Sequence, residues 1–111
     1  MSARFVHDGN AVDYTPASDV AAGDVIQQED LIAVAKRDIP AGTLGALHPT
    51  GVFDIPKNTG AGEDIPAGLL LYWDDTNKVA AKPPASGNKI LGKAVVAAAD
   101  TDETVRVRLL Q

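Results

Sequence analysis

The sequence predicts an all-β protein, a compact single-domain β-barrel or β-clip-like fold of short strands joined by Pro-Ala-Gly turns. Ten Gly and seven Pro interrupt a chain of 111 residues, so few windows are long enough for a helix. Between these breakers lie short runs rich in Val, Ile, Leu and Thr, a composition typical of β-strands. One domain is expected, because halves of such a chain could not hold separate cores.

The candidate strands follow one another at the spacing of a barrel or sandwich. They are nine runs: Arg4–His7, Ala11–Thr15, Asp24–Gln28, Leu31–Ala35, Gly51–Ile55, Leu69–Trp73, Lys78–Ala81, Ile90–Ala98 and Thr104–Leu110. In the last run three apolar residues alternate with Arg106 and Arg108, which predicts one buried and one charged face. Residues 1–16 are expected to form an N-terminal arm or first strands, and residues 17–111 the main β domain.

The stretch Lys93–Ala99 is open to two interpretations, because its alanines would also suit a helix. A strand is favoured, since Gly92 stands at its start with no helix-capping residue beside it. The polar segment Asp100–Glu103 then predicts a reversal into the last run. The two runs are therefore expected to pair as a hairpin.

One phrase, Asp-Ile-Pro-Ala-Gly, occurs at residues 38–42 and 64–68, with a near copy at residues 19–23. Its proline suits the second position of a type I turn, and its glycine suits the left-handed conformation that follows. This combination predicts a hairpin turn closed by a G1 bulge. The phrase is interpreted as a reused corner of the fold rather than a binding motif. The residues that define the corners are Pro40, Gly42, Pro66, Gly68 and Gly23.

Composition and charge exclude several kinds of partner. The net charge of −5 and the scattered Lys and Arg argue against binding to nucleic acid. No apolar run reaches the ~18 residues of a membrane span, and no membrane partner is expected. The chain has no Cys, which excludes disulfides and thiolate metal sites. Because Ala and Val supply much of the apolar content, the core is expected to be thin and to gain burial from a partner surface.

No set of residues predicts catalysis, a metal or a cofactor. His7 and His48 are far apart in the sequence and lack carboxylates at ligand spacing, so both are interpreted as structural or surface residues. Asp74–Asn77 and Asp100–Glu103 are interpreted as polar turns in preference to cation sites, since neither has the spacing of a calcium loop. The protein is therefore not expected to be an enzyme, and no cofactor is expected.

Several stretches, in this order, resemble one family: "GVFDIPK" at residues 51–57, "YWD" at 72–74 and "VRVRL" at 105–109. Over essentially its whole length the chain resembles the small capsid cement, or head decoration, proteins of tailed bacteriophages and prophages. The resemblance implies a structural protein on the outer surface of the virion capsid, made in the cytoplasm of the bacterial host. It further implies a protein that bridges major capsid protein subunits, stabilises the shell and forms homo-oligomers, with a trimer favoured.

Residues for contact with the capsid or with other copies are expected in two places. Neighbours on a strand point to opposite faces, so one aromatic of the pair Tyr72-Trp73 is expected to point outward. For each candidate the alternative is an ordinary surface or core residue of a monomer. The candidates are Arg4, Phe5, Val6, His7 and Tyr14 near the N-terminus, and Trp73, Arg106 and Arg108 on late strands.

A second resemblance is local. The segment Ala35–Thr43 resembles a phrase of SAF-type β-clip domains, which occur in sialic acid synthases and pilus-assembly proteins. It leaves open a second function, that of a small extracellular or envelope-associated module that binds a ligand such as a carbohydrate. Such a module would need a groove with several aromatic side chains, and the chain has only five aromatic residues: two Phe, two Tyr and one Trp.

Overall fold

The computed structural model describes residues 2–111, and in that range it contains strands, turns and irregular segments but no helix. The all-β prediction is confirmed. Nine strands lie within the described residues: β1 Val12–Tyr14, β2 Val25–Gln28, β3 Leu31–Val34, β4 Gly45–Leu47, β5 Val52–Pro56, β6 Leu70–Asp74, β7 Val79–Ala81, β8 Lys89–Ala94 and β9 Thr104–Leu109.

These strands form three antiparallel sheets. Two are pairs, β1 with β4 and β2 with β3, and the third has five strands in the order β5-β9-β8-β6-β7. The edges of the large sheet approach each other at a single bridge between Lys57 and Ala80. The sheet is therefore strongly curved, as in a β-clip-like fold, but it does not close into the predicted barrel.

Eight of the nine predicted runs contain a strand, and the exceptions are instructive. The predicted strand Arg4–His7 is wrong, because these residues pair with no neighbouring strand and lie exposed. β4 was not predicted, since Gly-Ala-Leu has no β-branched residue and only three positions. The hairpin prediction is confirmed: β8 and β9 pair antiparallel, with Gly92 opposite Leu109, although β8 ends at Ala94 rather than Ala98.

Two apolar clusters form the interior. The larger lies on the inner face of the five-stranded sheet and includes Leu71, Trp73, Leu91 and Val107. The smaller packs β3 against the loops around it and β4. The alternation predicted for the last strand is confirmed, since its three apolar residues are buried while both arginines are exposed. The outer face of the large sheet therefore carries both arginines and is exposed.

The repeated phrase forms turns, but in a different frame from the predicted one. The glycines adopt the left-handed conformation, with φ of 92° at Gly23, 75° at Gly42 and 87° at Gly68. However, the closing hydrogen bond runs from the N–H of Thr43 to the carbonyl of Pro40, 3.1 Å, so the proline is the first residue of the turn and Gly42 the third. This is the pattern of a type II turn, and the expected type I turn with a G1 bulge is wrong.

The frame is shifted because the backbone of Ile39 is already in use. It exchanges two hydrogen bonds with Val20, of 2.9 and 2.8 Å, as an antiparallel bridge. The adjoining turns then stabilise each other: the carboxylate of Asp19 accepts the N–H of Ala41, and that of Asp38 accepts the N–H of Ala22, both at 2.8 Å. The two corners are therefore one paired unit.

Candidate interaction surface

Asp74 and Asp102 lie in the two polar turns that were weighed as cation sites, and each accepts hydrogen bonds within its own turn. Asp74 accepts the amides of Thr76 and Asn77, each at 3.1 Å, so its carboxylate closes its own hairpin tip. Asp102 does the same for the following turn by accepting the N–H of Ala99 at 2.8 Å. Residues 2–111 contain no group of three or more His, Cys, Asp or Glu placed to hold a metal ion. Nor does any helix long and apolar enough to span a membrane occur there.

Trp73 does not point outward as expected. Its side chain is only 2% exposed and belongs to the main core, while the half-buried Tyr72 lies on the outer face. The indole Nε1 donates to the Asp75 carboxylate at 2.9 Å, so the one polar atom of the ring is paired. Side chains alternate between the two faces of β6, and Leu71 and Trp73 both lie on the core face. Of the two neighbouring aromatic residues, the larger, Trp73, is therefore the buried one. It is excluded from the candidate surface.

Hydrogen bonds to the two acids at this hairpin lower their pKa values. The Lys78 ammonium and then the Trp73 indole lower the pKa of Asp75, and the Asn77 side chain and amide lower that of Asp74. Both acids are therefore charged at neutral pH, as the tip of a solvated turn requires. The arrangement is a structural one, since every partner is local to the turn.

The N-terminal segment, residues 2–8, extends away from the body and is exposed throughout. Phe5 and Val6 are each 79% exposed, an unusual state for two adjacent apolar residues. Within the described chain, the hydrogen bond recorded for this segment is local, from the N–H of Gly9 to His7 Nδ1 at 3.0 Å. The radius of gyration is 14.9 Å, against about 13 Å for a compact chain of this length.

The N-terminal candidates therefore divide into two groups. Arg4, Phe5, Val6 and His7 lie on the exposed segment, where each could contact a partner. Tyr14 differs, because it lies on β1 and packs against the small core cluster. Within the predicted N-terminal unit, residues 1–16, β1 is paired with β4 along its whole length, whereas residues 2–8 form no strand.

The second exposed apolar region is the outer face of the five-stranded sheet. Val52 is 53% exposed, Ile90 46% and Leu110 39%, and Val95 and Val96 lie exposed just beyond β8. Strand registers place Val52 beside Arg108, Arg108 beside Lys93 and Lys93 beside Leu70. We call these four residues the cationic row; they cross four strands side by side on one face.

Arg106 and Arg108 both lie on this outer face, as predicted, but their environments differ. Arg106 is opposite Asp54 and donates to it twice, from Nε at 3.0 Å and from Nη2 at 3.3 Å. This hydrogen bond lowers the pKa of Asp54 and raises that of Arg106. Arg108 instead lies between Val52 and Lys93 and has no carboxylate opposite it.

Sequence reasoning missed several residues of this surface. Val52, Lys93 and Leu110 follow from alternation once the buried residues of their strands are known. Ile90 could not be placed in this way, because the register of β8 shifts opposite the Leu71/Tyr72 step and Leu91 and Gly92 are both buried. A bulge of this kind has no clear signal in the sequence.

Comparison with known proteins decides what kind of molecule carries this surface. A family model described as phage cement protein matches residues 6–109 of the 111. The chain belongs to the phage cement protein family. The resemblance noted from the sequence is thereby confirmed. No curated protein and no solved structure gives a match.

Membership in the phage cement protein family gives the general role. It indicates a structural protein associated with the phage capsid, in a family of structural phage proteins rather than a known enzyme family. The match runs from Val6 in the N-terminal segment to Leu109 at the end of β9, so it includes most of the second exposed region but not Phe5 or Leu110. These two regions are the candidate interaction surface of this cement protein.

Proposed function

We propose that this cement protein binds the outer surface of the assembled head, bridges major capsid protein subunits and so stabilises the shell. The proposal is supported by family membership and, above all, by the exposed Phe5-Val6 pair on a segment that extends from the body. Exposed apolar groups of this kind are removed from water when they bind a partner. This burial contributes a favourable free energy of about 25 cal/mol per Å² of apolar surface.

Residues 2–8 act in this proposal as an arm that anchors the β body to the shell. Arg4 and His7 flank the apolar pair and supply polar contacts at its rim. The protein is made in the host cytoplasm and functions on the capsid exterior. Several modest contacts per copy, multiplied in a homo-oligomer, give strong binding without a large patch on any one chain.

The test compares a protein lacking residues 2–8 with the full chain in co-sedimentation with purified empty heads. The double substitution of Phe5 and Val6 to Ser is a smaller change of the same kind, and both variants should bind at least tenfold more weakly. Leu44→Ser is the matched control, because Leu44 is also exposed (66%) but lies on the body. Undiminished binding of both arm variants would remove the arm from the mechanism.

Shell stabilisation has its own readout. Heads saturated with the full chain should withstand a higher temperature before they rupture than bare heads do, since a ligand that binds only the assembled state stabilises it. The arm variants should give little of this increase. Binding without any increase in rupture temperature would show that the protein attaches to the shell but does not stabilise it.

The alternative function, a carbohydrate-binding β module, has one observation in its favour. The segment with the SAF-like phrase borders a groove of ≈ 700 Å³, lined in part by Lys36, Asp38, Pro40 and Thr43. Among the described residues, no Phe, Tyr or Trp lines this groove, and sugar sites commonly depend on such aromatic rings. A specific glycan that raises the melting temperature of the protein would favour this alternative.

A further inference from the structure

Lys93 and Arg108 form an unusual pair on the outer face of the large sheet. They are directly opposite each other on β8 and β9, and both are exposed. Like charges in this position repel and destabilise a sheet. The described residues contain three salt bridges, Lys78–Asp75, Lys89–Asp30 and Arg106–Asp54, and none of them neutralises this pair. A carboxylate from another molecule would turn the repulsion into attraction.

The residues around the pair add apolar contact area. Val52 and Leu70 end the cationic row, and Tyr72 lies directly opposite Ile90 on the same sheet. Apolar groups around arginine and tyrosine are the composition found at the centre of protein interfaces. The complementary partner is therefore a protein surface with carboxylates beside apolar groups.

The chain itself carries such a surface in its other half. Residues 11–50 contain six acidic residues (Asp and Glu) but only two basic residues (Lys and Arg), a net charge of −4. Residues 51–111 contain eight acidic and seven basic residues, a net charge of −1. A groove of ≈ 450 Å³ on the acidic half brings together Asp19, Asp24 and Asp38 with Pro40 and Ala21. All three carboxylates are exposed.

We infer that the cationic row of one copy binds the acidic groove of a second copy. The two surfaces are different patches of the same chain, so the contact is head-to-tail, and such contacts close into rings when the rotation between copies allows it. The number of copies in such a ring is set by that rotation. The inference builds on the proposed oligomeric cement function and names the two faces that would meet.

Two variants test the contact from its two sides. The row variant, Lys93→Glu with Arg108→Glu, reverses the charge of exposed residues. The groove variant, Asp19→Asn with Asp38→Asn, removes the charge but keeps the oxygen that accepts the Ala41 and Ala22 amides. Circular dichroism and the melting temperature confirm that each variant is folded. A milder row variant, Lys93→Ala with Arg108→Ala, replaces the first if it does not fold.

Sedimentation velocity measures the result. The full chain should form oligomers at about 50 mM salt that dissociate toward about 500 mM, since the screening length of exposed charges falls from roughly 14 Å to roughly 4 Å between these concentrations. Each variant alone should be monomeric at concentrations where the full chain is oligomeric. An equimolar mixture should give 1:1 dimers, because the groove of the row variant and the row of the groove variant are both intact.

The control is Lys36→Glu with Arg37→Glu, which changes the total charge by the same amount as the row variant but on the acidic half. This control should still form oligomers. A full chain that is monomeric at both salt concentrations would overturn the inference, as would oligomers of the row variant or a mixture that stays monomeric. If the row variant loses binding to heads while the full chain is a monomer, the row contacts the shell instead.

The two proposals fail separately. A row variant that is monomeric but still co-sediments with empty heads leaves the capsid role intact and supports the contact between copies. Oligomers that form as expected but never bind heads would support the contact and contradict the cement function.

Discussion

The ammonium of Lys57 donates to the backbone carbonyl of Asp102 at 2.9 Å. It also donates to the carbonyls of Asn58, at 2.8 Å, and Ala99, at 3.1 Å, and the residue is only 6% exposed. One buried side chain therefore holds the turn before β9 against the end of β5. These three bonds use all three of its donors, which explains how a lysine can be buried without a carboxylate.

Replacement of Lys57 by Met should destabilise the fold by about 1–3 kcal/mol, because three carbonyls lose a charged donor in a site with little water. Urea unfolding monitored by circular dichroism measures the change. Lys82→Met is the matched control, since the Lys82 ammonium donates one such hydrogen bond, to the carbonyl of Gly62 at 3.0 Å. This substitution should lower the free energy of unfolding by under about 1 kcal/mol. If the two substitutions lowered the free energy of unfolding equally, the three hydrogen bonds of Lys57 would contribute no more to stability than the single bond of Lys82.

Gly92 allows β8 and β9 to approach closely. A Cβ on this residue would collide with the backbone carbonyl of Arg108, which cannot move without disturbing the sheet. Gly92→Ala should therefore destabilise the protein by about 3 kcal/mol or more, at the upper end of overpacking costs. Gly45→Ala is the comparison, because its Cβ would meet only the side chain of Ile39, at 2.7–2.8 Å, and a side chain can adjust. A smaller loss at Gly92 than at Gly45 would contradict the argument.

The glycines of the repeated turns make a separate prediction. A Cβ on Gly42 would meet nothing within 4 Å, so any cost of substitution comes from its φ of 75° alone. Gly42→Ala should cost about 1–2 kcal/mol, and Gly42→Asn less, because Asn adopts the left-handed conformation more readily. Thermal unfolding of the two variants measures the difference. If Ala and Asn proved equal, backbone conformation would not be the reason for glycine at this corner.

The sequence predicted what depends on local pattern. Breakers and β-branched runs identified eight strands, and alternation along β9 placed Arg106 and Arg108 on the outer face. The turn glycines were also correct, since the left-handed conformation strongly favours glycine. The frame of the same turns was wrong, because it depends on a bridge between Val20 and Ile39, which are nineteen positions apart.

The candidate surface was predicted only in part, for the same physical reason. Which face of β6 is buried depends on the sheet that packs behind it, so the orientation of Trp73 could not be read from its own strand. The Lys93–Arg108 pair depends on the register between β8 and β9, and Ile90 is exposed because of a register shift. The buried face and the register of a strand depend on how it pairs with other segments. They therefore cannot be predicted from the residues of that strand alone.

The ion pair of Asp54 with Arg106 predicts a dependence of stability on pH. Because the pKa of Asp54 is lower in the folded state than its usual value, the pair stabilises the fold above the unfolded pKa of about 3.9. This contribution is lost as the pH falls through the lowered value, when the folded carboxylate takes up a proton. The melting temperature should therefore decrease below about pH 4.

Asp54→Asn isolates this contribution, since it removes the charge and keeps the shape. Its melting temperature should be lower than that of the full chain at neutral pH, and the difference should narrow toward about pH 3. The effect should be small because both side chains are more than half exposed and solvent screens the pair. Asp64→Asn is the control, because Asp64 is an exposed acid with no salt bridge in the described residues. A difference that stayed constant from neutral to acid pH would mean that the Asp54 pair does not contribute through its charge.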